Sequence, residues 1–133
     1  MVVGSAPASA GKESITDYGS LNELGEKLAT KRCVFIRSFL FQYKFHRKGK
    51  LVSARARSTD GIVFYEFQFE NPLDLSLPRT GPKNNKPTVG IELYELCVNR
   101  GRLWSVQATS NNVAFPAHEQ LFRDTLASFL PRL

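Results

Sequence analysis

The feature that most constrains the fold is an alternation of side chains around an Asp-Gly pair, in LVSARARSTDGIVFYEFQFEN, residues 51–71. Before the pair, Val52, Ala54 and Ala56 share one face of an extended chain, and polar residues fill the other. After it, a second apolar face is formed by Val63, Tyr65, Phe67 and Phe69. Period-two alternation on both sides of Asp-Gly predicts an antiparallel β-hairpin.

A second hairpin is predicted in GIELYELCVNRGRLWSVQATS, residues 90–110. Its turn at Asn99-Arg100-Gly101 is typical of a three-residue loop in which Gly takes the left-handed position. Between the hairpins, residues 71–90 contain Pro72, Pro78, Pro82 and Pro87, which exclude a central strand. We expect a long Pro-rich loop there, of the length often used for function.

One helix is predicted on each side of the hairpins. The first begins at Ser20, which forms a capping box with Glu23, and Gly25 in its middle suggests close packing against a sheet. The last begins near Pro116 and ends at Pro131. Its apolar stripe is Phe122, Leu126, Phe129 and Leu130. With one further strand within residues 33–45, these elements predict an α+β fold with an antiparallel sheet of about four to six strands.

The chain of 133 residues is long enough for one domain with its own core. We expect residues 1–13, which are small and polar, to be a flexible leader or the remnant of a trimmed precursor, and residues 14–133 to form the domain. The sequence contains no run of about 18 apolar residues, so we expect no membrane-spanning segment.

A net charge of +6 favours an acidic partner, which could be nucleic acid, a membrane face or a protein surface. We expect a basic patch to bind it, made of Lys44, Arg47, Lys48, Lys50, Arg55, Arg57, Arg100 and Arg102. Nucleic-acid binding ranks second, because it needs exposed aromatic side chains among the cations, and only Phe64 stands apart from the buried aromatic face. A small-ligand carrier with a cleft under the Pro-rich loop is a third alternative.

The residues that could carry catalysis are few. His46 and His118 are the two histidines, and neither has a ligand at metal-binding spacing, so they are weak metal candidates. Cys33 and Cys97 are either two buried free thiols or one long-range disulfide. Glu66, Glu70, Glu92 and Glu95 are expected to face solvent as partners of the arginines. We therefore expect a protein that is not an enzyme and has no cofactor.

Three segments resemble the PsbP-domain family. SITDYGSLNELGEKL is similar to the family's stretch before its first long helix, and ARARSTDGIVFYEFQFE is similar to its Asp-Gly hairpin. VNRGRLWSVQATSNNVAFPAHEQLFRDTLASF is similar to its C-terminal signature. The residues that carry this last likeness are Gly101, Leu103, Trp104, Ala108, Phe115, Phe122, Ser128 and Phe129.

The resemblance implies an α/β/α sandwich and a protein of the chloroplast thylakoid lumen. It implies peripheral binding to photosystem II and its oxygen-evolving complex, or a part in photosystem assembly, through subunits with acidic surfaces. The family's N-terminal extension is absent here, so we expect an assembly or accessory role rather than calcium binding. The family's first strand pair is absent as well, and an open sheet edge predicts a homodimer.

Overall fold

The computed structural model describes residues 1–37, 44–72 and 89–131, and in the strands at 33–37 and 44–48 it describes the backbone only. A 3₁₀ helix at Ile15–Tyr18 precedes the first α-helix. The α-helices are α1 (Leu21–Lys31) and α2 (Phe115–Ser128). The strands are β1 (Val2–Pro7), β2 (Cys33–Arg37), β3 (Lys44–Lys48), β4 (Lys50–Thr59), β5 (Ile62–Pro72), β6 (Val89–Asn99) and β7 (Arg102–Asn111).

Five strands form one antiparallel sheet in the order β1-β7-β6-β5-β4, and β2 pairs with β3 in a separate two-stranded ribbon. On the α1 face of this sheet, Tyr65, Phe67 and Phe69 form a buried core beneath α1. On the opposite α2 face, Leu93 and Val106 pack with Leu126 of α2. The predicted α+β fold, an antiparallel sheet of about four to six strands with two helices, is therefore confirmed, except that β1 of the sheet precedes α1.

Both hairpins close with two-residue turns. Asp60 and Gly61 have φ of 52° and 77°, and Arg100 and Gly101 have φ of 51° and 75°. Two successive positive values match the type I′ turn, whose twist follows that of the strands. The three-residue loop predicted for the second hairpin is wrong, because Asn99 pairs directly with Arg102 across the turn.

The first helix follows its local signals. The Ser20 side chain accepts a hydrogen bond from the backbone N–H of Glu23, as expected of an N-cap. A Cβ at Gly25 would lie 2.8 Å from Leu51 Cδ2 and 3.1 Å from Phe67 Cε1. The expected close approach of α1 to the sheet is confirmed, and it requires glycine at this position.

Three sequence-based boundaries differ from the structure. Residues 2–7 of the expected flexible leader form β1, which pairs with β7. Residues 71–72 and 89–90 of the expected loop extend β5 and β6 and pair with each other, and residues 73–88 lie outside the described part. Val52 does not share the face of Ala54, because the register shifts between Leu51 and Ser53 and Leu51 takes the core position.

No helix within the described residues has both the length and the apolar character needed to cross a bilayer.

Candidate functional site: exposed cations and a charged cleft under α2

The predicted basic residues do not form one patch. Lys50 is the first residue of β4, whereas Arg100 lies in a turn at the opposite end of the sheet, beside the Asp60-Gly61 turn. A ten-residue strand separates these ends by about 30 Å. Lys44, Arg47 and Lys48 lie on β3, and their side chains are outside the described part.

Arg57 is a structural residue rather than a surface cation. Its guanidinium lies 3.8 Å from the centroid of the Phe64 ring and binds Glu66 Oε1 and Glu95 Oε1. Its Nη2 also donates to the backbone carbonyls of Leu126 and Phe129, at 3.2 and 3.3 Å. The last turn of α2 contains no basic residue, so a cation from β4 satisfies its free carbonyls.

Arg55 remains largely exposed, at 68% of its side-chain surface, although it binds Glu66 Oε2 through Nε and Nη2. It lines a cleft between the sheet and α2, together with Ser53, Glu95 and Arg123. Arg123 binds Glu119 on α2 and Gln68 on β5. The cavity has a volume of about 30 Å³, enough for one or two water molecules.

Glu95 is the most deeply buried charged group of this cleft, with 1% of its side chain exposed. Its Oε1 binds Arg57, whereas Oε2 is buried and has no hydrogen-bond partner among the described residues. Burial raises the pKa of Glu95 from its ordinary 4.5 to about 7, against the opposing attraction of Arg57 and with a further increase from Glu66. The prediction that Glu95 faces solvent is wrong.

The prediction is also wrong for Glu92, which lies on the α1 face with 3% of its side chain exposed. Arg32 binds both of its carboxylate oxygens, at 2.8 and 2.7 Å, and Asn71 and Gln107 each donate one further hydrogen bond. Burial raises the pKa of Glu92, but these bonds outweigh burial and leave the pKa below its ordinary value. Both carboxylate oxygens of Glu92 are therefore hydrogen-bonded, although Asn71 Oδ1 beside them has no partner among the described residues.

Sequence reasoning missed Arg123 and the buried positions of the two glutamates. A signal was present for Glu95, because its strand neighbours on the same face are Leu93 and Cys97. A carboxylate inside an apolar alternation must be buried and needs a cation. Nothing in the local pattern pointed to Arg123, which reaches Gln68 from 55 residues away.

The other candidate residues do not form a centre. Within the described part Cys97 is a buried free thiol; the side chain of Cys33 lies outside that part, so a Cys33–Cys97 disulfide stays an untested alternative. Burial raises the pKa of that thiol to about 12. His118 is exposed on α2, with its ring centroid 6.0 Å from that of Phe122. The side chain of His46 is outside the described part, and the described residues contain no group of three or more metal-binding side chains.

Solved structures that are similar to this chain include the following two. The solution structure of cyanobacterial PsbP (CyanoP) from Synechocystis sp. PCC 6803 superposes with a TM-score of 0.68 at 18% identity. The match covers 98% of this chain but 65% of CyanoP, so this chain spans slightly less than two thirds of that relative. The protein PA94 from Pseudomonas aeruginosa, a putative regulator of unknown function, superposes with a TM-score of 0.55 at 11% identity, over 99% and 84% of the two chains.

The sequence itself carries the stronger evidence. No functionally curated protein matches the chain. A sequence model of the family described as PsbP, however, matches residues 1–130, which is nearly the whole chain and includes β1. The resemblance found in the three motifs is therefore confirmed, and this chain belongs to the PsbP family.

Proposed function

We propose that this protein is a non-enzymatic binding protein associated with a photosystem at the lumenal side of the thylakoid membrane. The family match over residues 1–130 carries this proposal. The likeness to CyanoP supports the fold on which it depends. An assembly or accessory role at photosystem II or its oxygen-evolving complex is the finer form of the proposal, and its partners are subunits with acidic surfaces.

The exposed cations support the choice of an acidic partner. Lys50, Arg55 and Arg100 are exposed at three separate places on the sheet. Arg100 has a φ of 51° in a turn position that Asn, Asp or Gly occupies at lower cost. A net charge of +6 adds a long-range attraction to any acidic surface.

The test is capture of solubilised thylakoid complexes by the immobilised protein. The variant Lys50→Glu/Arg55→Glu reverses two exposed cations of β4, and we expect it to lose most of the captured photosystem subunits. Arg57 is left unchanged, because its side chain holds α2 and a reversal would disturb the fold. Lys27→Glu/Lys31→Glu on α1 is the matched control, since it changes the net charge by the same amount.

Equal losses in both variants would mean that net charge alone explains the interaction and that the β4 cations have no specific role. No capture of photosystem subunits by the unaltered chain would contradict the proposed function itself. Whether capture depends on the β4 cations or on net charge, mass spectrometry of the captured proteins identifies the partner.

The alternatives receive less support. Phe64, the aromatic residue expected to stand apart, is fully buried, as are Phe69 and, to within 2%, Phe67, so these rings are not available for stacking on bases. The cleft of about 30 Å³ is smaller than the several hundred Å³ of a usual ligand pocket. The predicted homodimer stays a prediction: in the described part of the main sheet the edge strands are β1 and β4, and light scattering at high concentration tests their pairing.

A further inference from the structure

The cleft between the sheet and α2 offers a site for one acidic side chain. Arg55 of β4 and Arg123 of α2 line it, and each uses only part of its guanidinium in the hydrogen bonds to Glu66, Glu119 and Gln68. Arginine presents five N–H donors, so donors remain on both side chains. A volume of about 30 Å³ suits a carboxylate group rather than a larger ligand.

The buried carboxylate of Glu95 lines the same cleft and works against such an occupant. Its Oε2 has no hydrogen-bond partner in the part of the chain that the structure describes. While Glu95 is ionised, this oxygen can only accept a hydrogen bond and repels a second carboxylate. Once it is protonated, this repulsion ends.

The charges around Glu95 come from each element that packs on it. In the described part they are Arg55 and Arg57 on β4, Glu66 on β5, and Glu119 and Arg123 on α2, with the thiol of Cys97 next along β6. Three guanidinium groups and three ionised carboxylates, Glu95 included, cancel. A proton on Glu95 leaves this group with a net charge of +1, which favours an anionic occupant.

We propose that this cleft binds an acidic side chain of a partner protein together with one proton, which is taken up by Glu95. The inference rests on the proposed function, and it names the residues and the condition for docking. Glu95 titrates near neutrality because it is buried, so the coupling operates between about pH 6 and pH 8.

The experiment measures binding of a capped peptide of alternating Gly and Asp by calorimetry at pH 6 and pH 8. The Asp side chains of this probe are ionised at both values. If only the protonated form of Glu95 admits the peptide, the affinity is about tenfold higher at pH 6. At pH 8, buffers of different ionisation enthalpy should report the uptake of about one proton per bound peptide.

Glu95→Gln keeps the size of the side chain and removes the titration, so it should bind at both pH values as the unaltered chain does at pH 6. Arg55→Gln/Arg123→Gln should lose binding. Lys27→Gln/Lys31→Gln is the matched control, since it removes two exposed cations from α1 on the opposite face of the sheet, and it should retain binding. His46→Asn/His118→Asn should keep the tenfold effect, which excludes histidine as the titrating group.

Equal affinity at the two pH values, a pH effect that persists in Glu95→Gln, or no peptide binding at all would overturn the inference. None of these results touches the capture of photosystem complexes, so failure of the inference and failure of the proposed function are distinguishable.

Discussion

The two faces of the central sheet each bury one Arg–Glu pair, and they do so in different ways. On the α1 face, Glu92 receives four hydrogen bonds from Arg32, Asn71 and Gln107. On the α2 face, Glu95 shares Arg57 with Glu66 and leaves one oxygen unsatisfied. The first carboxylate gains enough bonds to offset burial and the second does not, so their pKa values move in opposite directions.

Burial alone therefore does not determine whether an ion pair can exchange a proton. The α1 pair is complete, and it joins the residue after α1 to strands β5, β6 and β7. The α2 pair is incomplete and borders a cleft, so it retains the capacity to exchange a proton. A buried ion pair whose carboxylate oxygens are both hydrogen-bonded stabilises a structure, whereas one with an unsatisfied oxygen can respond to a change in pH.

The largest effect is expected from Glu92→Gln. This change leaves Arg32 buried without its charge partner, and we expect a loss of about 3–4 kcal/mol in the free energy of unfolding at pH 7. Urea denaturation measures it, and Arg32→Met should cost a similar amount. A loss below about 1 kcal/mol would mean that the α1 pair is not the rigid one.

Glu95→Gln, in contrast to Glu92→Gln, should increase the free energy of unfolding at high pH. The folded protein holds a proton on Glu95 up to about pH 7, whereas the unfolded chain releases it near 4.5. The stability due to this proton is complete below about pH 4.5 and is lost as the pH rises to 7. At pH 8 we therefore expect Glu95→Gln to be more stable than the unaltered chain by roughly 3 kcal/mol.

The same variant should show a flatter stability curve between pH 5 and pH 8, measured by urea titration at each pH. Below about pH 4.5 the two proteins should differ little, since Glu95 is then largely protonated in the unfolded chain as well as in the fold. If Glu95→Gln were destabilising at pH 8, the ionised pair with Arg57 would have to be stronger than its burial allows.

Gly25→Ala tests how tightly the α1 face is packed. Alanine improves helix propensity by roughly 1 kcal/mol, but its Cβ would lie 2.8 Å from Leu51 Cδ2 and must displace that side chain. We expect a net loss of about 1 kcal/mol in thermal or urea unfolding. In a Leu51→Ala background, which is itself destabilised by the lost packing, Gly25→Ala should cost less than in the unaltered chain. A stabilised single variant would show that α1 has room to move.

The smallest effect is expected from Arg55→Gln. Its ion pair with Glu66 is exposed on the arginine side, and such pairs contribute about 0.5 kcal/mol or less to stability. Urea unfolding at pH 7 should hardly change, although peptide binding should weaken. A loss larger than about 1 kcal/mol would place Arg55 with the structural residues, beside Arg57.

The parts of the fold that sequence patterns predicted are those with local causes. The Asp60-Gly61 turn, the Ser20 cap and the Gly25 contact each depend on residues that the sequence places close together or at a regular spacing. β1 was missed because Val2–Pro7 carries no alternation, and its order comes from pairing with β7 about 100 residues later. Long-range pairing of this kind leaves no mark in a short window.

The candidate site was predicted in part for the same reason. Exposed Lys50, Arg55 and Arg100 followed from their strand and turn positions. The role of Arg57 depends on carbonyls 69 and 72 residues away, and that of Arg123 depends on where α2 lies on the sheet. Residue type identified the cations, but only the packing of α2 separates those that bind the helix from those that are exposed to solvent.

The burial of Cys97 gives the α2 face a reporter of its own movements. This thiol pairs across the strands with Phe64 and Trp104, whose rings both contact Phe129 just after α2. Thiolate formation requires exposure to water, so we expect alkylation of Cys97 to be slow while α2 remains packed on the sheet. The rate at which a thiol reagent alkylates Cys97 therefore measures how often α2 detaches from the sheet.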